Sequence, residues 1–135
     1  MSDVSEGRLK KKMSKKVLLV DDSTTTLMME EMILKQGTNY ELVTAKDGVE
    51  AIACAVESNP DLVLMDVVMP RLNGFEACKH MRTHNELRNV PIILVTTRGE
   101  EEYVTAGFHS GCNDYITKPI NSRELVTLLY SYLGE

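Results

Sequence analysis

Cysteine is scarce and scattered in this 135-residue chain: Cys54, Cys78 and Cys112 are odd in number, far apart, and lack any Cys-x-x-C spacing. The pattern argues against a disulfide framework and a zinc site, leaving three small core side chains in a reducing cytoplasm. Long apolar runs are missing too. No stretch approaches the roughly 20 apolar residues that span a bilayer, and the N-terminus has no apolar signal core, so neither membrane insertion nor secretion is expected. There is no internal repeat, no low-complexity segment beyond the tail, and no room for a second domain; the length suits one domain with a substantial core.

The formal charge of −5 conceals an asymmetry. Residues 1–16 hold Arg8, Lys10, Lys11, Lys12, Lys15 and Lys16 against Asp3 and Glu6, while the remainder has 9 basic and 18 acidic residues. An acidic body argues against direct nucleic-acid binding by the domain. Six basic residues without interleaved aromatics read as a solvated arm, so 1–15 is expected to be a disordered tail and 16–135 the folded domain.

Short apolar runs come after the tail. Val17-Leu18-Leu19-Val20 leads into Asp21-Asp22, Leu62-Val63-Leu64-Met65 into Asp66, Ile92-Ile93-Leu94-Val95 into Thr96, and Tyr115-Ile116-Thr117 into Lys118. Runs of this kind read as strands buried on both faces, as in a parallel sheet. A shorter strand is expected over Glu41 to Thr44.

Helical segments fill the gaps. The first opens at Ser23, a good N-cap, and runs through Leu27, Met28, Met32 and Ile33 to a stop at Gly37. A second runs from Val49 to Ser58 with Val49, Ile52, Ala53 and Val56 on one face, ended by Asn59-Pro60-Asp61. Others are expected over Phe75 to Arg82, over Glu100 to His109, and from Ser122 onward with Leu125, Leu128, Leu129 and Leu133 against the sheet. Five strand–helix units predict an α/β fold: a doubly wound (βα)5 arrangement with a five-stranded parallel sheet in the flavodoxin-like order 2-1-3-4-5.

In such a sheet the ligand site lies beyond the carboxyl ends of the strands, so Asp21, Asp22, Asp66, Thr96 and Lys118 converge there. Magnesium prefers oxygen ligands from one or two carboxylates, completed by carbonyls, waters and phosphate oxygens. Three crowded carboxylates repel one another, and a dication relieves that repulsion. Asp66, alone at its strand end, is the candidate nucleophile, since an aspartate can form an acyl phosphate. Lys118 can neutralise a phosphoryl oxygen and Thr96 can donate a hydrogen bond to another. His80, His84 and His109 show no ligand spacing and read as surface residues; Met28, Met29 and Met32 read as core or helix-surface filler.

Five motifs in order then carry a family resemblance. They are Leu19-Val20-Asp21-Asp22-Ser23, Asp66-Val67-Val68-Met69-Pro70 with Asn73-Gly74, Val95-Thr96-Thr97, and Asn113-Asp114-Tyr115-Ile116-Thr117-Lys118-Pro119. Over residues 16 to 134 the chain resembles the receiver domain of two-component response regulators, in particular the single-domain chemotaxis-type (CheY-like) members. The resemblance implies that Asp66 accepts a phosphoryl group from the phosphohistidine of a sensor histidine kinase. It implies Mg2+ held by Asp22, Asp66 and the carbonyl of Val68, and through water by Asp21. Thr96 and Tyr115 would be the switch pair, and the fourth helix, fifth strand and fifth helix the output face.

The resemblance thus implies a phosphorylation-controlled cytoplasmic switch, not an enzyme with an external product, whose output passes to a downstream protein that the sequence does not name. Pairing of two copies on phosphorylation stays open. Three other readings are disfavoured. A flavodoxin-type carrier needs a glycine-containing phosphate loop, which Ser23-Thr24-Thr25-Thr26 is not. A haloacid-dehalogenase-type phosphatase needs Asp-x-Asp, whereas Val68 stands two after Asp66. A phosphorylation-independent adaptor would not need the complete site. Val68, Thr97 and Arg98, at positions that vary in the family, predict a slow loss of the phosphoryl group.

Overall fold

The computed structural model describes residues 14–97, 105 and 108–134. Five strands, β1 (Lys16–Val20), β2 (Glu41–Ala45), β3 (Leu62–Asp66), β4 (Ile92–Thr97) and β5 (Asp114–Lys118), form one parallel sheet in the order 2-1-3-4-5. The helices are α1 (Thr24–Gly37), α2 (Gly48–Ser58), α3 (Gly74–Arg82), α4, described at residues 105 and 108–110, and α5 (Ser122–Leu133). A short 3-10 turn, Asn85–Leu87, comes after α3. The expected helix from Glu100 to His109 lies mostly outside the described residues, as do Arg98 and the basic residues of the tail before residue 14.

Each long strand alternates its side chains between two cores, which is why the runs are apolar throughout. Leu18, Val20, Val63, Met65, Ile92 and Leu94 face one core, which also takes in α2 and α3. Val17, Leu19, Leu62, Leu64, Ile93, Val95 and Ile116 face the other, with Leu27 and Leu34 of α1 and Leu125 and Leu129 of α5. Edge strand β2 is only partly covered.

Helices α1, α2, α3 and α5 each start at a side-chain cap. Ser23 accepts from Thr26, Asp47 from Glu50, Asn73 from Glu76 in a reciprocal capping box, and Asn121 from Glu124. Asn59, with φ of 50°, ends α2 in the left-handed region that asparagine tolerates.

On α1, Met28 and Met32 are about 60% exposed and so belong to the helix surface, while the buried stripe is Leu27, Glu30 and Leu34. One expected helix face is corrected. On α2, Val49, Ala53 and Val56 are exposed, whereas Gly48, Ala51 and Ala55 are buried and Ile52 packs beside them. Small residues sit inward there because the helix lies close to its neighbours. A Cβ on Gly48 would stand 2.2 Å from the Leu72 carbonyl oxygen. The final helix packs through Leu125, Leu128, Leu129 and Leu133 as expected. The three thiols also match expectation, Cys78 and Cys112 buried and Cys54 partly so. Burial pushes the Cys112 thiol up to about 11, which keeps it neutral.

At the amino ends of β4 and β5, Arg82 acts as a clamp. Its guanidinium donates to the carbonyls of Leu87, Val90 and Gly111 and to the Asn113 side chain, at 2.7–3.0 Å. At the opposite end, α3 begins against the strand that carries Asp66. A Cβ on Gly74 would stand 2.6 Å from the Asp66 carbonyl oxygen, and the Gly74 amide donates to Val67 at 2.8 Å. Gly74→Ala must therefore push backbone apart, at a cost of about 1–3 kcal/mol typical of overpacking. Urea unfolding should show that loss as a lowered midpoint with unchanged slope; an unaltered midpoint would contradict the close approach.

Candidate metal and phosphoryl site

The parallel register decides which side chains meet. Val20 pairs with Met65, Asp66 with Val95, Thr96 with Thr117 and Thr97 with Lys118, so Asp21, Asp66, Thr96 and Lys118 leave the sheet at the same end. Carboxylate oxygens of Asp21, Asp22 and Asp66 lie within 4.8 Å of one another. Asp21 and Asp66 are buried and Asp22 is exposed, so the cluster opens to solvent on one side.

Lys118 holds the cluster together. Its ammonium donates to Asp21 Oδ2 at 3.1 Å and to Asp66 Oδ2 at 3.3 Å. Burial alone would push the Lys118 pKa down; the charges and hydrogen bonds of Asp66 and Asp21 outweigh it and raise the value. Asp66 is raised as well, through burial first and the Asp21 charge second, with Lys118 and the Val68 amide opposing. Other bonds aim the carboxylates. The Ser23 amide donates to Asp21 Oδ1 at 2.9 Å, and the Val68 amide lies 3.4 Å from Asp66 Oδ1.

Thr96 is 2% exposed, and its hydroxyl oxygen has no hydrogen-bond partner among the described residues. A buried hydroxyl without a partner costs free energy unless a ligand completes it. Tyr115 lies two residues back along β5 from Thr117, pairs with Leu94 and is 38% exposed. The Val68 side chain is 60% exposed beside the site. The loop carrying Val68 is tied down by Arg71, at φ of 67°, whose guanidinium reaches Asp47 Oδ2 at 2.6 Å.

The donor set suits a hard dication. It offers three carboxylates, no thiolate and no imidazole, in an acidic and partly open pocket. Asp21, Asp22 and Asp66 would hold the ion, and the positive charge would offset the repulsion that raises Asp66.

One charged neighbour was not anticipated. Glu30, on α1, is 1% exposed, and its Oε1 has no partner among the described residues. Burial, then the Asp21 charge, pushes its pKa to about 8, with Lys118 opposing and Asp66 adding. The signal lay in the spacing: Glu30 falls on the same helical face as Leu27, three residues before it, and Leu34, four residues after it.

Comparison with known proteins bears on the whole arrangement. The family profile of the response regulator receiver domain matches residues 17–130. The polar-differentiation response regulator DivK of Brucella anthropi is 38% identical over 105 residues, covering 76% of this chain and 83% of its own. Among solved structures, the chemotaxis response regulator CheY4 of Vibrio cholerae matches with a TM-score of 0.83 and 35% identity, over 89% of this chain and 99% of that one. The receiver domain of the sensor histidine kinase PA1611 of Pseudomonas aeruginosa, with magnesium coordinated in its active site cleft, matches with a TM-score of 0.82 and 30% identity, over 90% and 99%. A five-stranded 2-1-3-4-5 sheet, an acidic cluster at its carboxyl end and a sequence match over most of the chain lead to one conclusion: the protein belongs to the response regulator receiver domain family.

Proposed function

We propose that the protein is a phosphorylation switch, in which Asp66 accepts a phosphoryl group from the phosphohistidine of a sensor histidine kinase. The observation that carries the reading is the placement of Lys118 between Asp21 and Asp66, beside a buried Thr96 hydroxyl that has no partner among the described residues. A dication held by Asp21, Asp22 and Asp66, with the Val68 carbonyl as a further ligand, would supply charge neutralisation for the incoming phosphoryl oxygens. A carboxylate oxygen of Asp66 forms the new O–P bond as the N–P bond of the donor breaks, and that electron pair returns to the imidazole nitrogen. Lys118 is placed to exchange one carboxylate contact for a phosphoryl oxygen. Thr96 then gains an acceptor that its hydroxyl finds nowhere among the described residues.

That new hydrogen bond links chemistry to output. A Thr96 side chain drawn toward the phosphoryl group leaves space into which the half-exposed Tyr115 ring can turn, which biases the α4–β5–α5 face toward one of two arrangements. The signal then passes by docking to a target protein. In this reading the protein assists only its own phosphorylation and dephosphorylation, and it works in the cytoplasm. No described helix is long and apolar enough to cross a membrane.

Three measurements test the reading. With acetyl phosphate and magnesium, intact mass should show one added phosphoryl group, absent in Asp66→Asn and in excess chelator; an adduct persisting in either would remove Asp66 from its role.

Lys118→Ala should remain folded and still fail to transmit. Its amide exchange around Tyr115 should be the same with and without phosphodonor, whereas wild type should differ. A normal response in the variant would assign the lysine to structure alone.

The lifetime of the adduct is expected to be long. Val68 places an exposed apolar side chain beside the phosphoryl position, where it can neither orient nor activate an attacking water, and Thr97 adds bulk at the adjacent strand end. After donor removal, Val68→Asn should lose the phosphoryl group several-fold faster than wild type. Equal or slower decay would refute the hydration argument.

A further inference from the structure

A carboxyl side chain that is 1% exposed, with an oxygen unpartnered among the described residues, in the middle of an amphipathic helix has no packing rationale. A leucine at position 30 would continue the stripe of Leu27 and Leu34 at no electrostatic cost. The charged groups that act on Glu30 come from three strands: Asp21 from the end of β1, Asp66 from the end of β3 and Lys118 from the end of β5. Helix α5, packed beside α1, contributes the apolar Leu125, Val126 and Leu129 to this core. On its own helix, the neighbouring Glu31 turns outward to Lys35 at 3.7 Å. Glu30 is thus electrically part of the acidic site without being exposed to it.

We propose that Glu30 is a reserve carboxyl of the cation site, an acid while the site holds no dication and a carboxylate once one binds in front of it. The inference rests on the dication-binding reading of Asp21, Asp22 and Asp66. Before binding, burial and the two aspartates keep the Glu30 proton in place at neutral pH, with a pKa of about 8. A dication among Asp21, Asp22 and Asp66 takes the summed charge of the three carboxylates, Lys118 and the ion from −2 to 0, which removes the aspartates' part of the Glu30 shift and leaves that of burial. In a larger share of molecules at neutral pH the O–H bond then breaks, the electron pair stays on the carboxylate, and the proton passes to the buffer. One cation is taken up for up to one proton released from Glu30. By reciprocity, each fold by which the cation favours ionised Glu30 is a fold by which ionised Glu30 tightens the cation. Glu30 therefore makes cation affinity depend on pH through a group that is not itself a ligand.

The test is calorimetric titration of magnesium into the full chain, in two buffers of different ionisation enthalpy, for wild type, Glu30→Gln and Glu31→Gln. Wild type should release a fraction of a proton per magnesium at pH 7, and its affinity should rise between pH 6 and pH 9 by about 3- to 10-fold more than that of Glu30→Gln. Glu31→Gln, the same charge change on the solvent side, should behave as wild type does. Identical proton release and pH profiles in wild type and Glu30→Gln would overturn the role of Glu30 while leaving the cation site intact. No magnesium binding at all would overturn the site and this inference together. Two readouts do not depend on cation binding by a variant. The infrared band of a protonated carboxyl should weaken in wild type when magnesium is added at pH 7; a band that is absent in chelator, or unchanged by magnesium, counts against the proposal. Stability in chelator gives the second. A folded pKa raised from 4.5 to about 8 contributes stability that is full below pH 4.5 and is lost as pH rises toward 8. Glu30→Gln should therefore gain in Tm over wild type as pH rises across that window; a constant difference would mean that Glu30 titrates as an ordinary glutamate.

Discussion

Like charges forced together at one end of a parallel sheet are the constraint on which the remainder of the site depends. The register places Asp21 and Asp66 on neighbouring strand ends, and the adjacent Asp22 completes a set whose oxygens lie within 4.8 Å. Water cannot fully screen this repulsion, because two of the three are buried. Lys118 offsets part of it from β5, and a dication would offset more. The fold thus carries a pocket whose charge suits a positive guest, and a guest held by carboxylates would retain capacity for phosphoryl oxygens.

Strain at that end is tolerable because the opposite end is fastened. Arg82 gathers carbonyls from Leu87, Val90 and Gly111 and the Asn113 side chain with one planar group, a task for which a lysine point charge is unsuited. The amino ends of β4 and β5 are locked together there, far along the strands from Thr96 and Lys118. Rearrangement at the carboxyl end can then proceed without loosening the sheet. The side of the sheet covered by α2 and α3 is tied to the site loop by Gly74, whose lack of a Cβ lets α3 start against the Asp66 carbonyl.

Much of this was legible in the chain itself. Runs such as Leu62 to Met65 are apolar at every position because both faces of the sheet are covered, and the chemistry begins where each run stops. Faces of the helices were harder to read. On α2, Val49, Ala53 and Val56 make a more hydrophobic stripe than Gly48, Ala51 and Ala55, yet the smaller set is buried, because close packing selects size before hydrophobicity. On α1 the stripe was hidden by Glu30, which occupies a core position while reading as a surface residue. Nor could spacing reveal that the Thr96 hydroxyl lacks a partner among the described residues, since that depends on what neither β3 nor β5 offers it.

The two buried oxygens unpartnered among the described residues, on Thr96 and Glu30, bear on the same event from opposite sides. Thr96 has a donor awaiting an acceptor, and a phosphoryl group on Asp66 would supply one. Glu30 has an acceptor and, on the proposal above, a proton that a dication would loosen. A domain of this size is stabilised by only about 5–15 kcal/mol, so two incompletely satisfied groups in its interior are a substantial part of the balance. On the proposed reading, a phosphoryl group on Asp66 would meet the Thr96 hydroxyl, and a dication would weaken the field that holds the Glu30 proton, so the two charges together would bias the fold toward a second arrangement.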